Sequence, residues 1–124
     1  MAEDIPEKQA AKTSLIISTF MKIKLRQAEG ILEGLTIEDF SKIEKNATAM
    51  SLLTRAETWN VNKDPKFIQH SNEFARLTTK LAKYGREKNL DGAALTYVQL
   101  TLNCVECHRF LRDDKLKTRE LLNK

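Results

Sequence analysis

The chain has 124 residues, 21 Lys and Arg against 17 Asp and Glu, a formal charge of +4, and only four glycines and two prolines. That is enough chain for one domain with a real core, and its abundance of Ala, Leu, Lys, Glu and Arg favours helix over strand. No apolar run approaches the length of a membrane span, and the charges alternate along the chain rather than gathering into a basic stripe with aromatics between, which argues against nucleic acid as a partner.

Four helices are predicted in chain order, over residues 6–33, 37–57, 65–86 and 91–117, within a single domain spanning 1–124. The first opens at Pro6, a residue suited to a first helical position, with Asp4 before it as cap. Ile17, Met21, Leu25, Ala28, Leu32 and Leu35 recur by fours and threes as its inward stripe, and Gly34 is expected to stop it. Thr36 and Asp39 have the spacing of a capping box for the second helix, whose stripe is Phe40, Ile43, Ala47, Met50 and Leu53. Asn60 to Lys63 reads as a loop.

Asp64-Pro65 is a cap followed by a first-turn proline, and Phe67, His70, Phe74, Leu77, Leu81 and Tyr84 share one face of the third helix, with Gly85 expected at its end. Asp91 is expected to cap the fourth helix. Tyr97, Val98, Leu102 and Val105 are read as its apolar side, and the charged stretch after Asp113 keeps only Leu116, Leu121 and Leu122 as large apolar residues. Four helices joined by three short connections predict an all-α fold, an antiparallel up-down-up-down four-helix bundle.

The last helix carries Cys104-Val105-Glu106-Cys107-His108, a C-x-x-C-H motif containing both cysteines of the chain. This is the attachment pattern of a c-type haem. Residues three and four apart share a helix face, so both sulfurs can reach the two vinyl groups along one porphyrin edge, and the adjoining imidazole is aimed at the iron. A redox dithiol uses the same C-x-x-C spacing, but the strand and βαβ pattern that accompany it are missing from this sequence. A tetrahedral zinc site needs a fourth ligand, for which only His70 remains.

With the motif placed late in the fourth of four helices, the chain resembles the class II c-type cytochromes, the cytochrome c-prime family. The likeness runs from about Leu15 to Arg112. It includes the basic Arg112 four residues after His108, a phenylalanine on the third helix, and Asn89-Leu90-Asp91 leading into the fourth. The chain departs from the family at Leu111, where an aromatic is common and the aromatic here is Phe110, one position earlier. It departs also in its short connection between the second and third helices.

The resemblance implies one covalent haem c held by Cys104 and Cys107, with His108 as proximal ligand and the distal group supplied by the first helix. Met21 stands in the matching region. Ligation by its sulfur makes a low-spin iron suited to electron transfer, as in the cytochrome c-556 branch, with no substrate turned over. An apolar side chain there instead leaves a five-coordinate, high-spin iron that binds nitric oxide or carbon monoxide. Inward methionines also serve as ordinary gap-fillers. Met50 faces inward on the second helix, where the family places no ligand, and His70, near the start of the third helix, offers a bis-His site or serves as a half-exposed packing residue at the bundle end.

Arg112, on nearly the same face as His108, is a candidate partner for a haem propionate. Trp59 and Tyr97 are candidates to pack on the porphyrin. The expected partners are redox proteins, with a homodimer through the first two helices in the manner of the family, where Ile16, Ile23 and Ile37 are unclaimed by the core stripes. Haem attachment ordinarily takes place outside the bacterial cytoplasm, and Met1-Ala2-Glu3-Asp4 has neither a basic start nor an apolar core. The expectation is therefore a periplasmic protein whose targeting segment has been removed.

Overall fold

The computed structural model describes the backbone of residues 7–60 and 64–122 and the side chains of 18–56 and 64–113. It is a four-helix bundle: α1 (Glu7–Ile37), α2 (Phe40–Asn60), α3 (Pro65–Arg86) and α4 (Leu90–Leu122), with no strand among the described residues. The expectations for Asp4, Pro6 and the connection 61–63, and for the side chains of Ile16, Ile17, Trp59, Leu116, Leu121 and Leu122, fall outside what is described.

The helix ends differ from the sequence reading in an instructive way. Gly34 does not stop α1; the helix runs three residues further. Glu38 then takes a left-handed conformation (φ 55°), and Asp39 N–H closes the end on Gly34 O at 2.8 Å. Nor does Gly85 end α3. Lys88 (φ 56°) does so, with Asn89 N–H bonded to Tyr84 O at 2.9 Å and Lys88 N–H to Gly85 O at 3.2 Å. Both ends close with the longer hydrogen bond of the Schellman motif, and the α3 end has its shorter one as well, each with a charged residue where glycine is usual.

Gly34 and Gly85 are buried because other helical backbone comes too near for a side chain. A Cβ at Gly85 would lie 3.1 Å from Glu44 N and 3.2 Å from Phe40 O, and one at Gly34 would lie 2.9 Å from Ile43 Cγ1. At the helix starts, Thr36 is spent inside α1, its hydroxyl donating to Glu33 O at 2.8 Å. The cap of α2 is Asp39 alone, accepting from Lys42 N–H at 3.0 Å. Asp64 caps α3 as expected, accepting from Lys66 and Phe67 N–H. Asn89 replaces Asp91 as the cap of α4, accepting from Gly92 N–H at 2.9 Å; α4 begins one residue earlier than predicted, which puts Asp91 in its first turn.

The core is a cluster of Ile31, Ile43, Ala47, Met50, Phe74, Leu77, Leu81, Ala82, Ala93 and Leu100. The stripes read for α2 and α3 are inward. Those read for α1 and α4 are not fully so: Leu25 is 61% exposed and Leu32 49%, while the unlisted Ile31 is fully buried. Of the residues read for α4 only Tyr97 turns inward. Among its described side chains the buried ones are Ala93, Thr96, Leu100 and Asn103, and Val98, Leu102 and Val105 point out. Apolar identity misled here because α4 has apolar residues on two sides and polar ones in its core row.

Those buried hydroxyls are satisfied locally: Thr96 donates to Gly92 O at 2.8 Å and Thr78 to Ala75 O at 2.9 Å. A threonine that bonds to its own helix backbone is buried at little cost.

Side-chain ties join the helices. Lys42 meets Glu33 at 2.8 Å between α1 and α2. Ser51 meets Thr79 at 3.3 Å, and Arg86 meets Glu44 at 3.5 Å, between α2 and α3. Among the described residues, packing is extensive from α1 to α2, α2 to α3 and α3 to α4, whereas the α1–α4 seam is thin. Across that seam the Tyr97 hydroxyl donates to Ala28 O at 3.1 Å.

Candidate functional site

One apolar cleft lies where α1, α3 and α4 converge. Met21 and Lys24 line it from α1, Phe67, His70, Ser71 and Phe74 from α3, and Asn103, Cys104, Cys107 and His108 from α4. Four of the residues expected to hold the cofactor, Met21 from α1 and Cys104, Cys107 and His108 from α4, are therefore brought to one place by two helices. Helical spacing explains the α4 wall: Asn103, Cys104 and Cys107 continue the buried row of Thr96 and Leu100 by threes and fours. His108 is the outermost member of that wall and is exposed at its rim.

Other candidates are placed elsewhere. Met50 is 1% exposed, packed in the core cluster and not on the cleft. Arg112 is exposed and does not line the cleft. Tyr97 is occupied by its bond to α1 and is likewise off the lining. Phe110 turns toward α3, its ring centroid 5.9 Å from that of His70 and its face 5.7 Å from Lys66 Nζ.

Three cleft residues escaped the sequence reading: Lys24, Ser71 and Asn103. Lys24 is not in the apolar stripe read for α1, yet it is three residues from Met21, one turn along the same face. It is half-buried, with Nζ 4.9 Å from the centroid of the Phe74 ring. A lysine can line an apolar wall with its stem while its ammonium rests on an aromatic face. Asn103 is 6% exposed, and its amide nitrogen reaches His70 O at 3.5 Å, linking α4 to α3 beside the motif. The signal for it was its position one residue before Cys104, in the row of Ala93, Thr96 and Leu100.

The electrostatics are those of an apolar site. Burial pushes the Cys104 thiol above its ordinary pKa, and the Lys24 ammonium only partly offsets this. Burial also raises Tyr97, with the Cys104 and Glu29 charges acting in the same direction. Reactive dithiols depend on the opposite shift, a stabilised thiolate. Among the described residues, no three His, Cys, Asp or Glu side chains converge as a metal cage, and no described helix is long and apolar enough to cross a membrane.

The donor set suits a haem: two sulfurs on one helix face, an adjoining imidazole, and a thioether from another helix, all on an apolar cleft. The cleft itself is narrow, about 40 Å³. A porphyrin needs far more room, and the thin α1–α4 seam is where packing offers least resistance to widening. Compared with protein-family models, curated proteins and solved structures, the chain has no match in any of the three.

Proposed function

We propose that this protein is a monohaem c-type cytochrome that carries electrons. Cys104 and Cys107 form the thioethers, His108 is the proximal ligand and Met21 the distal one. The observation that carries the reading is the meeting of Met21, from α1, with Cys104, Cys107 and His108 on one cleft, 83 residues along the chain from Met21 to Cys104. Helical periodicity within α4 accounts for the two cysteines and histidine being together. It does not account for a thioether from another helix arriving on the same cleft.

The finer architecture belongs to the same proposal. Gly30 faces Asn46, while Gly34, later on α1, faces Ile43, earlier on α2. Between α2 and α3, Glu44 lies beside Gly85 and Ser51 beside Thr79. Between α3 and α4, Tyr84 lies beside Gly92 and His70 beside Asn103. In each pair the order reverses, which supports the up-down-up-down course and the resemblance to class II cytochromes.

Bound haem c supplies a one-electron iron couple, whose potential His/Met ligation raises relative to histidine alone. The chain's own residues set the surroundings. Phe67, Phe74 and the Met21 side chain would keep water from a haem held in the cleft, and the Lys24 ammonium is a cation on the cleft lining that could pair with a propionate, with Arg112 a second at the surface. An exclusion of water and a closed sixth position suit electron transfer to redox partner proteins outside the cytoplasm.

The test is the absorption spectrum of matured protein and of Met21→Leu. The parent is expected to show sharp split α and β bands when reduced and a weak near-infrared charge-transfer band when oxidised. Met21→Leu is expected to become high-spin, take up carbon monoxide and fall in potential, with the fold intact. A parent that binds carbon monoxide at once belongs instead to the five-coordinate, gas-binding class. A parent with no Soret band has no haem.

A further inference from the structure

The fourth helix has a second apolar row that the cytochrome reading does not use. Leu95, Val98, Leu102 and Val105 are 69%, 56%, 57% and 43% exposed. Their 3-4-3 spacing is that of a helix–helix seam, and at 3.6 residues per turn they point about 180° away from Leu100, which faces the core. Exposed apolar residues taken singly are ordinary, but a continuous row is not. The outward positions of α3 supply the contrast: Lys66, Gln69, Asn72, Arg76, Thr79, Lys83 and Arg86. Of the exposed apolar residues described on α1, Leu25 and Leu32 share one face and Ile23 and Ile37 another, each pair too widely spaced to make a continuous row.

The charges at the two ends of the row indicate what covers it. Asp91 lies on the same line one turn before Leu95, and Arg109 one turn after Val105; both are exposed. The arrangement is self-complementary. If two copies of α4 run antiparallel about a two-fold axis at the level of Leu100, Leu95 meets Val105, Val98 meets Leu102, and Asp91 meets Arg109, each pair occurring twice. Such isologous matching is what a C2 interface requires. A parallel arrangement would bring Asp91 against Asp91 and Arg109 against Arg109.

We propose that the outer face of α4 is a self-association surface, on which a second copy of this chain lays the same face antiparallel. From Asp91 to Arg109 the seam rises by 18 residue steps, roughly 27 Å at 1.5 Å per residue. One helix pair of that length buries less than the ~1,200 Å² of a standard interface, so the dimer is weak and concentration-dependent. The face lies on the opposite side of α4 from the cleft, so this inference stands apart from the haem reading. It also differs from the pairing through α1 and α2 that the resemblance implied.

The experiment is sedimentation velocity of the matured protein over a concentration series at low salt, with circular dichroism as the control for folding. The parent is expected to show a monomer–dimer equilibrium. Asp91→Arg and Arg109→Asp singly are each expected to weaken association by at least about ten-fold, since each places like charges together at both ends of the seam. The double variant restores opposite charges in the reversed order and is expected to recover association. A parent that stays monomeric at the highest concentration overturns the proposal and leaves the row to a different protein. A dimer that either reversal leaves unchanged, or that the double variant fails to restore, overturns it equally.

Discussion

Tyr97 shows how much can depend on a single polar atom. Its ring packs against the core, and its hydroxyl reaches the Ala28 carbonyl of α1 at 3.1 Å, across the thin seam of the bundle. Removal of the hydroxyl alone, in Tyr97→Phe, is expected to lower stability by about 1 kcal/mol in urea unfolding, the usual net worth of one such bond. The same seam borders the cleft, so the variant is also expected to exchange amide protons faster near Ala28 than near Ile43. Lys24 and Asn103 teach a related lesson. Both are polar, both line the cleft, and neither belongs to an apolar stripe. A periodicity argument that counts only apolar residues passes over a lysine whose ammonium rests on Phe74 and an asparagine bonded to His70 O.

At the scale of elements, the two misplaced terminators have one cause. Glycine suits the left-handed residue after a helix, and it also suits the point where two backbones nearly touch. Gly34 and Gly85 serve the second purpose, and Glu38 and Lys88 serve the first. Opposite mutations are expected to have opposite signs. Lys88→Gly relieves a left-handed side chain (φ 56°) and is expected to stabilise the protein by about 0.5–1 kcal/mol. Gly85→Ala pushes a methyl group against Glu44 N and Phe40 O. Backbone atoms yield little, so it is expected to cost about 1–2 kcal/mol despite alanine's better helix propensity. Thermal melting of the two variants checks both at once.

At the scale of the whole molecule, the core and the cleft are adjoining but separable. Ile31, Ile43, Met50, Leu81 and Leu100 are each no more than 2% exposed, and of the two motif cysteines only the half-buried Cys104 packs against their cluster. A chain with Cys104→Ala and Cys107→Ala, unable to form thioethers, is therefore expected to keep its helical far-UV signal and a cooperative urea transition. Local opening is expected to concentrate around Met21, Phe67 and His108 rather than around the core cluster, which hydrogen exchange can map. The stability added by a covalent cofactor then appears as the difference between this variant and matured protein.

The sequence by itself determined the number of helices, the inward faces of α2 and α3, the Asp64 cap and the motif on α4, because each of these follows from local spacing or from one residue's own hydrogen-bonding reach. Only the tertiary structure decided that Met21 rather than Met50 borders the motif, that Leu25, Leu32, Val98, Leu102 and Val105 are left outside, and that Gly34 and Gly85 lie inside helices. Which side of a helix with two apolar faces turns inward depends on what packs against it. Along α4 the row of small and polar residues, Ala93, Thr96 and Asn103, won that position because it fits the space beside α3 and satisfies its own polar groups.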